Sequence, residues 1–304
     1  MIRFGDHDLL DAIDASDRVI RTTPHSDRYL IQLADVCRAA GLAVEEVEGW
    51  QTRARGSGGY DGTTPWVVMW HHTASSTSAE NDVDYICFGH DDSPIANLYL
   101  ARDGTVWICA AGATNTNGTG GPMAVSRGTI PVDQCNTHAL SIEMANDGLG
   151  EPWSQVQIDA AFTLSNAVTR ALGLRPDDIA THTHWTPGRK IDPARADAVE
   201  GPWRPRSINS SGSWNVDDVR AECLLRSAQV PEEDDMTAAT LWRPQGYLNV
   251  FLIGAGSTVN VSPAVADSLT ARGVPTIVEA HPQMLDTCLF QCGLTMDDMI
   301  PGGG

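Results

Sequence analysis

The sequence has almost no lysine. Of its 20 basic residues, only Lys190 is a lysine; the others are all arginine. Positive charge is scarce altogether, with 39 acidic residues setting a net charge of -19. A phosphate backbone needs a basic face, so this balance excludes a nucleic-acid partner and any adhesion to an anionic surface by charge alone. A Cys-x-x-Cys pair is also missing. Cys37, Cys87, Cys109, Cys135, Cys223, Cys288 and Cys292 are scattered and odd in number, which predicts buried thiols and excludes a disulfide framework. No window approaches a membrane span, so no membrane insertion is expected. The opening stretch MIRFGDHDLLDAIDAS carries acidic residues where a signal peptide needs an apolar core.

What is present fits a globular chain of 304 residues with an ordinary hydrophobic content of 42%, enough for one large and one small domain. Residues 1–27 form a polar extension. Leu30, Leu33, Cys37 and Ala40 then fall at helical spacing before Gly41. A short strand is expected over 42–47, and the Gly-rich stretch 52–65 is a loop. WVVMW (66–70) has the length and composition of a buried strand. Residues 96–110 predict a hairpin turning at Asp103-Gly104. HALSIEMAN (138–146) alternates, with Leu140, Ile142 and Met144 on one face and Ser141 and Glu143 on the other. The small-residue run AGATNTNGTGGP (111–122) reads as a loop. Ser154 and Gln157 predict a capping box ahead of a helix whose core face is Ile158, Ala161, Ser165, Val168 and Leu172. Another helix is expected over 216–228. Strands and helices intermix, which predicts an α/β domain with a mixed central β-sheet flanked by helices. An acidic linker (229–237) precedes a small α/β C-terminal unit (238–304). In that unit YLNVFLIGA and VPTIVEA suggest strands, and helices are expected from Ser262-Pro263 and over 282–292. I-G-A-G-S is a strand-to-loop turn and lacks a dinucleotide fingerprint.

Three places carry chemistry: His71-His72 after the apolar strand, Glu143, and THTHWTPGRKIDP (181–193). A hydrolytic zinc site takes three protein ligands and leaves a position for water. One of His71 and His72, one of His182 and His184, and Asp192 would make such a set. Glu143 could take a proton, and the Lys190 ammonium could stabilise an oxyanion. Taken singly, a histidine at a strand end is more often a packing residue, and a strand glutamate is more often solvated. Their combination is what points to a site.

WHHTAS together with H-T-H-W-T-P-G-R-K-I-D-P resembles the zinc-dependent N-acetylmuramoyl-L-alanine amidases of the type-2 amidase and peptidoglycan-recognition-protein superfamily, nearest to amidase modules of actinobacterial phage endolysins. The resemblance spans about residues 28–226 and includes the R-D-G hairpin and SIEMAN. It implies the amidase fold of that superfamily, a domain over 28–228, and one Zn2+ held by His71, His182 and Asp192. It further implies Glu143 as general base and Lys190 as the oxyanion-stabilising cation. His72 points to the opposite strand face from His71, and His184 is expected outside the ligand set. Many relatives carry a tyrosine near the metal, at the start of the strand leading into the R-D-G turn. Ala96 stands at that offset here, with Tyr99 the alternative.

The implied partner is bacterial peptidoglycan. The implied reaction is hydrolysis of the amide between N-acetylmuramic acid and L-alanine. The implied setting is a phage endolysin made in the host cytoplasm and acting on the wall after release. The rivals are a non-catalytic peptidoglycan-binding protein and a cytosolic wall-recycling amidase. The complete ligand set favours an enzyme. The C-terminal unit, with two arginines against five acidic residues, would bind wall by pockets and not by charge.

Overall fold

The computed structural model describes residues 28–63 and 65–227, and beyond them the backbone of four strands and residue 270. The described chain divides into two compact units, one of residues 28–174 with 178–214, the other of 175–177 with the described residues from 215 on.

The first unit begins with the helix Leu33–Ala39 (α1), which buries Leu33, Ala34 and Cys37 and is followed by Gly41 in the left-handed region at φ 80°. The strands Val44–Glu46 (β1) and Val67–His72 (β2) come next. A helix Ala79–Asp84 (α2), which the sequence pattern did not announce, is capped by the Ser78 hydroxyl. The hairpin expected around Asp103-Gly104 is present as Leu98–Leu100 (β3) and Val106–Ile108 (β4), with Gly104 at φ 86°. A second hairpin, Met123–Val125 (β5) with Gly128–Ile130 (β6), follows the 111–122 loop in a stretch for which the sequence pattern gave no element. One helical turn, Cys135–His138 (α3), leads into Ala139–Met144 (β7).

The long helix Gln155–Ala171 (α4) buries Ile158, Ala161, Ser165 and Val168 as its spacing requires. Only half of the expected capping box forms. Ser154 Oγ accepts from the Gln157 N–H, but the Gln157 side chain donates to the Ala145 and Leu100 carbonyls, tying the helix to strand ends. Ile179–Thr181 (β8) runs without a break into the short helix His182–Trp185 (α5), capped by the Thr181 hydroxyl.

The sheet order is β1-β4-β3-β7-β2-β8. Only the β3/β4 pair is antiparallel, so the sheet is mixed but mostly parallel. The central strand β2 is buried on both faces, which explains its continuous apolar run. On one face Trp70 packs 5.3 Å from Phe162 and 6.2 Å from Trp214, and its indole N–H donates to Ser165. Trp153 and Trp203 join Trp214 in the same aromatic wall. Each such pair adds about 0.5–1.5 kcal/mol beyond its burial. The opposite face is left for the site.

The second unit contains the helix Val216–Ser227 (α6) and the strands Thr240–Pro244 (β9), Val250–Gly254 (β10), Ser257–Val261 (β11) and Thr276–Glu279 (β12), in the order β11-β10-β9-β12. The strands expected around 250 and 277 are there; β9 and β11 were not foreseen. I-G-A-G-S joins two antiparallel strands through the Gly254–Ser257 pair. The N-terminal extension, the acidic linker and the two expected C-terminal helices lie outside the described residues. No described helix is long and apolar enough to cross a membrane. Cys37, Cys87, Cys109, Cys135 and Cys223 are free, buried thiols, as expected; Cys288 and Cys292 are not described.

Candidate metal centre and active site

Parallel register builds the site. His71 pairs with Glu143 across β2 and β7, and Glu143 pairs with Tyr99 across β7 and β3. Directly paired residues project to the same face, so Tyr99, Glu143 and His71 form one row across the sheet. The β2/β8 ladder pairs Trp70 with Thr181, and the next residue on each strand is a histidine. The row therefore continues to His182 at the start of α5.

His71 and His182 aim their Nδ1 atoms at each other, 2.9 Å apart. Asp192 Oδ2 completes the group at 3.2 Å from His71 Nδ1 and 2.9 Å from His182 Nδ1. All three residues are buried. The chain returns Asp192 to this point because its carbonyl accepts from both the N–H and the hydroxyl of Thr183, closing the segment back onto α5. The PGRK loop between them spans the ten-residue gap in sequence.

These donors fit a zinc ion. Ligand atoms about 2.0–2.1 Å from a tetrahedral ion stand roughly 3.3 Å from one another, and two nitrogens with one carboxylate oxygen leave a fourth position open. The imidazoles' far nitrogens support the same reading. His71 Nε2 lies 3.2 Å from Asn117 Oδ1, and His182 Nε2 lies 3.0 Å from the Asn117 carbonyl oxygen. With Nε2–H donating, the inward Nδ1 atoms carry lone pairs, and three acceptors this close repel unless a cation sits among them.

Burial pushes the His71 imidazole down to about 4, helped by the His182 charge. Burial would raise the Asp192 carboxyl, but the His182 and His71 imidazoles that face it outweigh burial and hold it well below the usual carboxylate range. Both shifts leave the ligand forms, neutral imidazole and carboxylate, populated at neutral pH.

Asn117 was missed in the sequence, where it was one polar residue in a small-residue loop. The reason for that composition is now visible. Gly121 has φ 77°, and a Cβ there would come within 2.2 Å of the Trp185 ring; at Gly120 it would come within 2.3 Å of Thr186. The loop can lie on α5 only without side chains at these points.

Glu143 is partly buried, and its Oε2 is a buried atom without a hydrogen-bond partner. Burial raises its carboxyl pKa well above normal; Asp192 and Asp82 push the same way, and Lys190 opposes them. Lys190 is thus close enough to act on Glu143, and its own N–H donates to the Thr186 carbonyl. Tyr99, and not Ala96, stands beside Glu143. Its hydroxyl donates to Asp82 Oδ2 at 3.1 Å, and Asp82 also accepts from Ser75 and Thr77. The tyrosine is therefore committed to Asp82 and not to the donor triad.

His72 lies on the other face, stacked on Trp153, with Nδ1 accepting from the Ala194 N–H. It steadies the segment after Asp192. His184 is on α5 outside the His71, His182 and Asp192 group.

A buried N, N, O triad at the ends of β2 and β8, with a carboxylate paired to one of its members across the sheet, can hold a metal and equips a hydrolase. Residues 61–195 match the family described as N-acetylmuramoyl-L-alanine amidase, a segment that includes His71, Glu143, His182, Lys190 and Asp192. That match supports peptidoglycan amidase activity for this part of the chain. No curated protein is matched.

Among solved structures, the chain is similar to the N-acetylmuramoyl-L-alanine amidase LysC from Clostridium intestinale, with 15% identity and a TM-score of 0.34, covering 47% of this chain and 85% of that one. It is similar to Drosophila PGRP-LB, with 14% identity and a TM-score of 0.34, covering 48% and 85%. It is also similar to the Staphylococcus aureus hydrolase AmiA in complex with its ligand, with 14% identity and a TM-score of 0.35, covering 58% and 84%.

Proposed function

We propose that this protein is a zinc-dependent N-acetylmuramoyl-L-alanine amidase acting as a phage endolysin. The observation that carries the reading is the convergence of His71 Nδ1, His182 Nδ1 and Asp192 Oδ2 within 3.2 Å, with Glu143 paired directly to His71 on the neighbouring strand. Zinc bound by these three atoms would lower the pKa of a water towards ~7 and polarise the amide carbonyl. Glu143 takes the proton of the attacking water and then delivers one to the leaving L-alanine nitrogen. Burial raises the Glu143 pKa, which makes its carboxylate a stronger base towards that water than an exposed one and lets it hold the proton until the nitrogen leaves. The Lys190 ammonium supplies positive charge to the oxyanion. Asp192 offsets the positive charge of the site.

The endolysin role and the wall as place of action rest on the likeness of the two histidine motifs to phage amidase modules. In this reading residues 28–228 hydrolyse, and the unit over 238–304, after the acidic linker, recognises wall. A non-catalytic binder of the same muropeptides is the rival, and the intact donor triad argues against it. Mass analysis of digested peptidoglycan separates the outcomes. New free L-alanine amino termini are expected. New reducing sugars, or binding without cleavage, would rule the amidase out.

A further inference from the structure

Two ligands on different elements lean on one residue. His71 comes from β2 and His182 from α5, yet both outward nitrogens meet oxygens of Asn117, the side-chain Oδ1 for His71 and the main-chain O for His182. Each of these oxygens can only accept, so each imidazole must carry its proton on Nε2. An unrestrained neutral imidazole exchanges between two tautomers, and only one of them presents a bare Nδ1 to Asp192.

Asn117 is itself held on several sides. It is fully buried. Its N–H donates to Asn136 Oδ1 at 2.7 Å, and its Nδ2 donates to Ser141 Oγ at 3.2 Å, on the same face of β7 as Glu143. The second bond places the amide nitrogen on Ser141 and leaves the amide oxygen towards His71. Arg189 adds a grip from the other side, donating to the Thr119 carbonyl at 2.5 Å and, at 3.4 Å, to the Asn117 carbonyl. The loop carrying Asn117 is thus tied to the sheet, to α3 and to the PGRK segment.

We propose that Asn117 is a positioning residue that fixes the tautomer and ring orientation of both histidines, and so presets the donor triad for a cation. The tautomer claim stands by itself; the cation claim rests on the metal reading given above. The two grips differ in kind. Replacing the side chain removes the partner of His71 but leaves the main-chain oxygen that holds His182. A residue that only filled space would show no such asymmetry.

The experiment uses the full chain, 15N-labelled and stripped of metal, at about pH 8, where imidazoles are neutral. Long-range 1H–15N correlations read each tautomer, and competition with a chromophoric chelator reads zinc affinity. In the wild type both His71 and His182 should show the Nε2–H tautomer. In Asn117→Ala, His71 should lose its single tautomer while His182 keeps it, and zinc should bind about 10–100-fold more weakly. Asn117→Asp, which retains an acceptor oxygen, should return His71 to Nε2–H.

An Nδ1–H tautomer at His71 in the wild type would overturn the proposal, and that spectrum needs no variant to fold. Unchanged tautomers and unchanged zinc affinity in Asn117→Ala would overturn it as well. If the spectra behave as stated but zinc does not bind the wild type, the metal reading fails and the positioning role stands.

Discussion

Glu143 stands opposite His71 in the ladder between β7 and β2. This one pairing fixes a carboxylate beside a metal-ligand candidate without any loop contributing. It also explains why the polar face of β7 is not a solvent face. Ser141 on that face bonds Asn117, and Glu143 faces the donor triad, so both are there for the site.

Glu143→Gln removes proton transfer while keeping shape. Turnover on peptidoglycan should fall about 10²–10⁴-fold, with zinc affinity changed little. Release of L-alanine amino termini measures the first, and chelator competition the second. Retention of full activity would remove Glu143 from the base role.

Lys190→Arg keeps the charge but swaps a compact ammonium for a broad planar group. Activity should fall steeply, by about 10²–10³-fold, the scale of losing one oxyanion donor. Thermal unfolding should hardly move, because the ammonium makes no hydrogen bond among those described. Near-normal turnover would make the single lysine a coincidence of composition.

Chelation should abolish wall lysis, and zinc should restore it. The same titration should raise the midpoint of thermal unfolding, since zinc at 100 times its Kd stabilises the native state by about 2.7 kcal/mol. Lysis that survives removal of metal would refute the zinc mechanism.

In the metal-free protein the His71 contribution to stability should shrink on mild acidification, and Glu143, with its raised pKa, acts in the opposite sense. His71 titrates at about 4 when folded, against 6.5 ordinarily. Within that window the unfolded chain takes up a proton that the native site refuses. The stabilising contribution is therefore complete above about 6.5 and declines as pH drops towards about 4. The difference in urea midpoint between wild type and His71→Gln, followed across the window, should show that decline; a difference independent of pH would refute it.

Gly121→Ala should destabilise the protein by about 1–3 kcal/mol, from a Cβ driven into Trp185 and from backbone strain at φ 77°. Because the loop carries Asn117, zinc affinity should drop in the same variant. A change in melting temperature without a change in zinc affinity would separate the loop from the site.

Much of this was legible in residues whose signal is local. WVVMW announced β2 because a strand buried on both faces has no choice but to be apolar throughout. The H-T-H-W-T-P-G-R-K-I-D-P motif, through its likeness to the amidase family, singled out His182 and Asp192, and the structure brings them together because a single helical turn and a return loop leave little freedom in length. Asn117 was illegible for the opposite reason. Its partners are 46 and 65 residues away in the chain, and an asparagine between threonines and glycines looks like any turn. Gln157 misled in the same way, since its side chain answers to two distant strand-end carbonyls and not to its own cap. The short β5/β6 hairpin and β9 and β11 escaped because three- and five-residue strands carry too few alternations to stand out.

Behind Asp192, two indoles reach one carbonyl: Trp153 Nε1 and Trp214 Nε1 both donate to Ala194 O, at 2.9 and 3.1 Å. Asp192, the third candidate ligand, is thus followed two residues later by an anchor in the aromatic wall, whereas Pro187 and Gly188 are exposed. The tip of the return loop and the segment that carries the carboxylate are held by different parts of the fold, so a substitution at the tip should leave the Asp192 carboxylate where it is.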